Sequence, residues 1–111
     1  MRAYRIDDLT PEDEGKLHEF LNSLALGAGI AGMYWLPVPP ALLSPVQQEH
    51  VAQCGPYVMA LELEDGTLAL EFLVRARGRL RCECVHYASA ELQAHMMRYV
   101  DSLFEQLLIP V

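Results

Sequence analysis

Basic side chains are scarce in this sequence. Its 111 residues include only 8 lysines and arginines against 15 aspartates and glutamates, which gives a formal net charge of −7. Nucleic-acid binding depends on a basic surface that releases counterions from the phosphate backbone. We therefore expect no general affinity for DNA or RNA.

Cysteines are few, and we expect no secretory signal. The three cysteines cannot all pair within one chain, and the N-terminal sequence MRAYRIDDL has no apolar region of the kind that a signal peptide needs. We expect reduced thiols and a cytoplasmic location. Apolar residues make up 52% of the chain, enough for a core without disulfides, and the length predicts a single domain over residues 1–111.

Charged side chains are absent from residues 20–48. Within this segment, LALGAGIAGMYWLPVPPALL is about as long as a transmembrane helix. Pro37, Pro39 and Pro40 each remove a backbone donor that lipid cannot replace. We therefore expect no membrane span and interpret the segment as a buried or partner-facing connector.

The glycines of GAGIAG, residues 27–32, match the spacing of a dinucleotide-binding loop. Such a loop follows a strand and begins a helix, so that the helix N-terminus faces the pyrophosphate. Here a helix is expected before the glycines and an extended segment after them. The pattern therefore favours a tight turn over a nucleotide site.

Three segments carry the signals of helix ends. Thr10, Ser44 and Ser89 are each expected to cap a helix, because their side-chain oxygens can accept from the free N–H groups of the first turn. Gly27 and Gly55 are expected to end the first two helices. The last helix carries the longest apolar stripe, which predicts a face buried against a sheet.

The clearest element is a hairpin, YVMALELEDGTLALEFLV, with Asp65 and Gly66 at its turn. The register that pairs Glu64 with Thr67 puts eight apolar residues on one face, as strand alternation requires. These residues are Tyr57, Met59, Leu61, Leu63, Leu68, Leu70, Phe72 and Val74.

A third strand, RLRCECVHYA, is expected to return after Gly78. Its inward residues would be Leu80, Cys82, Cys84, His86 and Ala88. The order of elements is then β-α-β-α-β-β-β-α. This order predicts an α+β fold, a two-layer sandwich in which an antiparallel β-meander of about three to five strands carries the helices on one face.

Thiols and imidazoles recur in two places. His50 and Cys54 share a helix face, because four residues make about one turn, while Cys84 and His86 share the inner face of the expected third strand with Cys82. Zinc takes four such ligands. Strand residues two apart are separated by roughly 6.5 to 7 Å, which is too far for two thiolates on one zinc.

The sequence therefore favours core packing of the cysteines, which behave as small apolar residues. The alternatives are thiol chemistry and a metal site that combines His50 and Cys54 with one or two of the strand residues, to which we assign Cys84 and His86. No cofactor is expected apart from zinc in this alternative.

Half of the basic residues fall within seven positions around Gly78. They can form a patch for a carboxylate, a phosphate or an acidic partner, or simply a solvated turn. The outer sheet face is also expected to carry an apolar patch, which is the usual mark of a protein interface unless another segment of the chain covers it. The predicted interface consists of Val58, Leu73, Arg75, Arg79, Arg81, Val85 and Tyr87.

No constellation of side chains indicates catalysis. The pairs Cys84 with His86 and Cys54 with His50 match no nucleophile signature, so a non-enzymatic role is favoured and enzymatic activity stays open. We expect a protein-interaction or adaptor module that binds a protein partner or forms a homodimer. The alternative is a zinc- or thiol-containing domain that uses His50, Cys54, Cys82, Cys84 and His86. A small-molecule pocket between the helices and the sheet also stays open.

Overall fold

A computed structural model describes residues 2–111. These residues form three helices, one 3-10 turn and one antiparallel sheet of six strands. The strands are β1 (Ala3–Ile6), β2 (Met33–Pro37), β3 (Tyr57–Glu64), β4 (Thr67–Glu71), β5 (Leu73–Ala76) and β6 (His86–Tyr87). The helices are α1 (Pro11–Ser23), α2 (Pro45–Cys54) and α3 (Ala90–Gln106), and the 3-10 turn is Pro40–Leu42.

Strand β3 lies at the centre of the sheet. Strand β2 pairs with one of its edges, and β4 and β5 pair in succession with the other. Beyond them, β1 pairs with β4 and β6 pairs with β5. Since β4 and β5 are two halves of one interrupted strand, the order is β-α-β-α-β-β-β-α with the helices on one side, as predicted.

The predicted hairpin register is confirmed near the turn and changes beyond it. Leu61 pairs with Leu70 as expected, whereas Tyr57 pairs with Ala76 instead of Val74. The shift amounts to two residues, so the alternation of faces is preserved. All eight predicted inward residues are buried, with at most 4% of any of them exposed.

Phe72 marks the interruption between β4 and β5. Its N–H donates to the Arg2 carbonyl, and its own carbonyl accepts from the Ala88 N–H. The backbone of Phe72 therefore joins the segments that lead into β1 and out of β6, which explains why the register shifts here without leaving buried amide groups unpaired.

The three predicted helix caps are confirmed. Thr10 and Ser89 accept from the N–H groups three residues later, and Ser44 forms a reciprocal capping box with Gln47. Helix α2 ends at Gly55 as predicted. Helix α1 ends at Ser23, so the expectation that it would continue to Gly27 is wrong.

The uncharged segment, residues 20–48, is divided among several short elements. It contains the end of α1, strand β2, the 3-10 turn and the start of α2. In the part of the chain that the structure describes, no helix is both long and apolar enough to cross a membrane.

Helices α1 and α3 contribute apolar side chains to one core. Helix α1 buries Leu17 and Leu21. Helix α3 buries Leu92, Met96, Val100, Leu103 and Phe104. The two buried residues of α2 are instead Gln47 and Cys54, so this helix is attached to the rest of the chain in another way.

The predicted third strand is wrong over most of its length. Only His86 and Tyr87 are paired with a neighbouring strand, and residues 77–85 form a loop. The loop begins with a hydrogen bond to the end of α2, in which the Gly78 N–H donates to the Cys54 carbonyl at 2.8 Å. Because this amide bonds to α2 rather than to a strand, the backbone leaves the sheet, and Leu80 is 88% exposed instead of inward.

Candidate metal centre

The loop of residues 77–85 lies directly against the C-terminal end of α2. A β-carbon added to Gly78 would lie 2.7 Å from the Gly55 carbonyl oxygen, 2.8 Å from that of Gln53 and 2.9 Å from that of Cys54. All three neighbours are backbone atoms that cannot rotate away. Only glycine therefore allows this contact, which fixes the start of the loop relative to Cys54.

A second hydrogen bond holds the far end of the loop. The Gln47 side-chain Nε2 donates to the Cys84 carbonyl at 3.0 Å, and Gln47 is only 1% exposed. The Tyr57 hydroxyl donates to the Gln47 carbonyl at 2.9 Å. Buried polar groups of this kind are costly unless they are paired, so these bonds select one position of the loop over α2.

Within the loop, Cys82 and Cys84 lie on a turn. The Val85 N–H donates to the Cys82 carbonyl at 3.0 Å, which closes a four-residue turn over residues 82–85. The separation expected for two cysteines on a regular strand therefore does not apply here. Both thiols face the same helix, and this removes the geometric objection to a shared ion.

Helix α2 presents a matching set of side chains. Gln47, His50 and Cys54 follow at intervals of three and four residues, so they lie on one face of the helix. This face meets the loop. Gln47 binds the loop backbone, and His50 and Cys54 lie beside its cysteines.

Four ligand atoms converge where the loop and the helix meet. One ligand atom from each of four residues lies within 4.8 Å of all the others, and these residues are His50, Cys54, Cys82 and Cys84. The closest approach that involves the imidazole is 3.1 Å, between His50 Nδ1 and Cys82 Sγ. The structure thus brings together three residues of the predicted set, His50, Cys54 and Cys84, and adds Cys82.

His86, the fourth residue of the predicted set, lies elsewhere. Its Nε2 is 3.0 Å from Ser44 Oγ, at the opposite end of α2 from Cys54. Ten residues of helix separate those two ends by about 15 Å. The assignment of His86 depended on an unbroken strand, which would have placed it beside Cys84.

Two thiols of the cluster, those of Cys82 and Cys54, have pKa values shifted in opposite directions. The Cys84 backbone N–H and then its thiol donate to the Cys82 sulfur, and these bonds lower the pKa of Cys82 to about 6. Burial, followed by hydrogen bonds with the other two thiols, raises the pKa of Cys54 to about 11. In the metal-free chain, these hydrogen bonds therefore favour a thiolate at Cys82.

The cluster has the dimensions and the surroundings of a zinc site. On a tetrahedral zinc with bonds of about 2.0 Å to nitrogen and 2.3 Å to sulfur, neighbouring ligand atoms are about 3.6 to 3.8 Å apart. Ligand atoms within 4.8 Å need to move inward by about 1 Å at most. His50 Nε2 lies 3.8 Å from Glu83 Oε1, a carboxylate suited to orient the ring when Nδ1 binds a metal.

Cys82 is absent from the predicted set of ligands, because two cysteines on a regular strand are too far apart for one zinc. A CxC pair on a turn gives two ligands from adjacent backbone, and the signal was present in RCECVH. It was discounted because the arginines and apolar residues around it alternate as in a strand. All three cysteines, which lie within the described residues, carry free thiols.

The apolar residues of the predicted interface differ in their exposure to solvent. Val58 is only 5% exposed within the chain, while Leu73 and Val85 are half-buried. Tyr87 is 39% exposed, with the Arg2 guanidinium 4.5 Å above its ring. The interface and the homodimer stay predictions.

The three arginines of that interface differ in their contacts. Arg75 pairs with Glu71 at 2.9 Å, whereas Arg79 and Arg81 extend into solvent on the loop. A small-molecule pocket also stays a prediction, for which the structure offers an apolar cleft of about 420 Å³. Its lining includes Leu24, Leu26, Leu36, Pro37, Met96 and Tyr99.

Comparisons of the chain with models of known protein families, with curated proteins and with solved structures found no match.

Proposed function

We propose that this protein is a small non-enzymatic domain that binds one structural zinc ion through His50, Cys54, Cys82 and Cys84. A single observation carries the proposal, the convergence of four ligand atoms from two separate segments within 4.8 Å. Four protein ligands complete a tetrahedral zinc shell and leave no position open for water or substrate. The ion would therefore hold the fold together rather than catalyse a reaction.

The chemistry of the ligands favours zinc over other biological cations. Three thiolates with one imidazole form a soft donor set, which discriminates against calcium and magnesium because these ions prefer oxygen. Copper(I) and iron–sulfur clusters also accept thiolates, and their binding would be distinguished by the metal found in the purified protein. Free thiols of this kind persist in a reducing compartment, so we propose that the protein acts in the cytoplasm.

A bound zinc ion would attach α2, which has no apolar stripe, to the rest of the chain. The loop of residues 77–85 belongs to no strand. An ion shared by the two segments would cross-link residues that are about 30 positions apart in the chain. The proposed role is therefore to fix the position of α2 and of the loop so that they present a defined surface to a partner.

Elemental analysis of the protein purified without a metal-affinity tag tests the proposal. We expect one zinc per chain in the wild type and loss of bound zinc in Cys84→Ala. His86→Ala is the matched control, because His86 lies at the other end of α2, and it should retain the full amount. A wild-type protein without stoichiometric metal after growth in zinc-supplemented medium would refute the proposal. Equal zinc content in Cys84→Ala and wild type would refute the assignment of the ligands.

A further inference from the structure

The loop that carries Cys82 and Cys84 also carries a concentration of positive charge. Arg77, Arg79 and Arg81 lie within five positions and are all exposed, in a chain with only 8 basic residues and a net charge of −7. Leu80, between two of these arginines, is 88% exposed. Such a combination of guanidinium groups around an apolar side chain is uncommon on an acidic surface and has no role in the core.

The arginines of the loop have few partners within the chain. The Arg77 guanidinium lies 5.8 Å from the centre of the Trp35 ring, a contact that leaves its charge unneutralised. Arg79 and Arg81 make no ion pair or side-chain hydrogen bond with any of residues 2–111. By contrast, Arg75 on the preceding strand is paired with Glu71. The loop thus offers up to three guanidinium groups to an external anion.

The loop is a defined surface rather than a free tail. A hydrogen bond from the Gly78 N–H to the Cys54 carbonyl ties its start to the end of α2, and Gln47 holds the Cys84 carbonyl. Arg81 directly precedes Cys82, one of the proposed ligands. A backbone that is already fixed loses less conformational entropy on binding, so a loop held at both ends is better suited to recognition than a mobile one.

We infer that residues 77–81 form a docking site for a partner protein, and that the segment they bind is a short acidic peptide with at least one apolar side chain. Arginine binds carboxylates in a planar, two-pronged geometry, and Leu80 supplies an apolar contact between the charges. The inference rests on the proposed function in one respect, since bound zinc would fix the loop in its docking conformation.

The charge distribution favours a peptide over a polyanion or a membrane. Nucleic acids and anionic lipid surfaces extend far beyond the loop, so they would also meet the carboxylates that give the chain its net charge of −7. A short acidic segment can contact the arginines alone. Arg75 is already paired with Glu71, and Glu83 is a carboxylate near His50, so neither residue extends the basic patch.

Fluorescence anisotropy of a short fluorescein-labelled peptide of glutamate and leucine tests the inference on the full chain with zinc added. The double variant Arg79→Glu with Arg81→Glu should weaken binding by at least about tenfold, because charge reversal replaces two attractions by repulsion. Arg98→Glu is the matched control, since Arg98 is an exposed arginine on α3, and it should change affinity by less than about twofold. Leu80→Ser should weaken binding by a few-fold, whereas Leu108→Ser, at a similarly exposed leucine, should not.

Each alternative result has a definite meaning. Failure of the wild type to bind the peptide at low salt, or equal weakening by Arg98→Glu, would overturn the inference. Tighter binding to vesicles of anionic phospholipid or to a single-stranded oligonucleotide than to the peptide would overturn the choice of partner. Peptide binding that is unchanged by zinc and by Cys84→Ala would leave the docking loop in place and would contradict the proposed role of zinc.

Discussion

Helices α2 and α3 lie on the same side of the sheet but are held there by different kinds of contact. Helix α3 buries five apolar side chains along one stripe. Helix α2 buries Gln47 and Cys54 and faces a loop instead of a strand. One helix is therefore attached by the hydrophobic effect, and the other by hydrogen bonds and, in our proposal, by a metal ion.

The difference shows how a small domain can position a helix that has no apolar face. Hydrophobic stabilisation is proportional to the apolar area that is buried and needs no precisely placed partner. Helix α3 can therefore be held in place without any ligand. The contacts of α2 are directional. Gln47 must reach Cys84, Gly78 must remain without a side chain, and four ligand atoms must converge. The packing of α3 should therefore be stable without metal, whereas the position of α2 and of the loop should depend on it.

The largest expected effect is on the stability contributed by the packing of α3. Phe104→Ala removes a buried aromatic ring, and we expect the free energy of unfolding to fall by about 3 to 5 kcal/mol. Denaturant titration with and without zinc measures it, and the loss should be the same in both conditions. Leu108→Ala is the control at an exposed site and should stay within about 0.5 kcal/mol of the wild type. If Phe104→Ala lowered the free energy of unfolding only in the presence of zinc, the packing of α3 would not be independent of the metal site.

Gly78→Ala tests the close approach of the loop to the C-terminal end of α2. The added β-carbon would lie within 2.9 Å of three backbone oxygens, so the loop must move away from the helix. We expect a loss of stability at the upper end of about 1 to 3 kcal/mol, together with weaker zinc binding in a competition with a chelator.

Gly15→Ala serves as the control for that substitution. Gly15 lies in α1 with open space around it, so alanine there should stabilise the chain by up to about 1 kcal/mol and leave zinc affinity unchanged. Unaltered zinc affinity in Gly78→Ala would mean that the loop can shift without disturbing Cys82 and Cys84.

A subtler change separates the two roles of Gln47. Gln47→Glu keeps an oxygen that can accept from the Ser44 N–H but removes the amide that donates to the Cys84 carbonyl. We expect a loss of about 1 to 3 kcal/mol, because a buried carbonyl is left unpaired beside a carboxylate. Gln48→Glu, at an exposed position of the same helix, should have little effect on the unfolding midpoint. Equal effects of the two substitutions would argue against a fixed loop.

The last expected effect is the pH dependence of the metal-free protein. The pKa of Cys82 is lowered from 9 to about 6, so its thiolate stabilises the fold fully above pH 9, and this contribution is lost as the pH falls to 6. The pKa of Cys54 is raised to about 11, and its contribution is present below pH 9 and lost as the pH rises to 11.

Among the contributions of the thiols, stability should therefore be greatest near pH 9 when zinc is absent. Unfolding by denaturant across this range measures the dependence, and Cys82→Ser should abolish the rise between pH 6 and pH 9. A profile that is unchanged by Cys82→Ser would contradict a preferential charge at that thiol.

Elements defined by neighbouring residues could be predicted from the sequence. The Asp65–Gly66 turn and the alternation around it gave the register of the hairpin, and Thr10, Ser44 and Ser89 gave the starts of the helices. Each of these signals acts over a few residues, so no knowledge of the rest of the chain was needed.

The candidate site could be predicted only in part, because it depends on contacts between distant segments. The spacing of His50 and Cys54 was informative, since a helix fixes their relative positions. Cys82 was left out of the ligand assignment because RLRCECVHYA alternates like a strand, whereas residues 77–85 form a loop that contacts the end of α2 at Gly78. The same error placed His86 in the cluster. The bond of Gln47 to Cys84, 37 positions later, has no sequence signal.

X-ray absorption at the zinc edge of the untagged, zinc-loaded protein tests the account most directly. We expect three sulfur neighbours at about 2.3 Å and one nitrogen neighbour at about 2.0 to 2.1 Å, which is the shell that Cys54, Cys82, Cys84 and His50 would supply. A shell of nitrogen and oxygen without sulfur, or one with fewer than three sulfurs, would contradict the proposal that this ion joins the loop to α2.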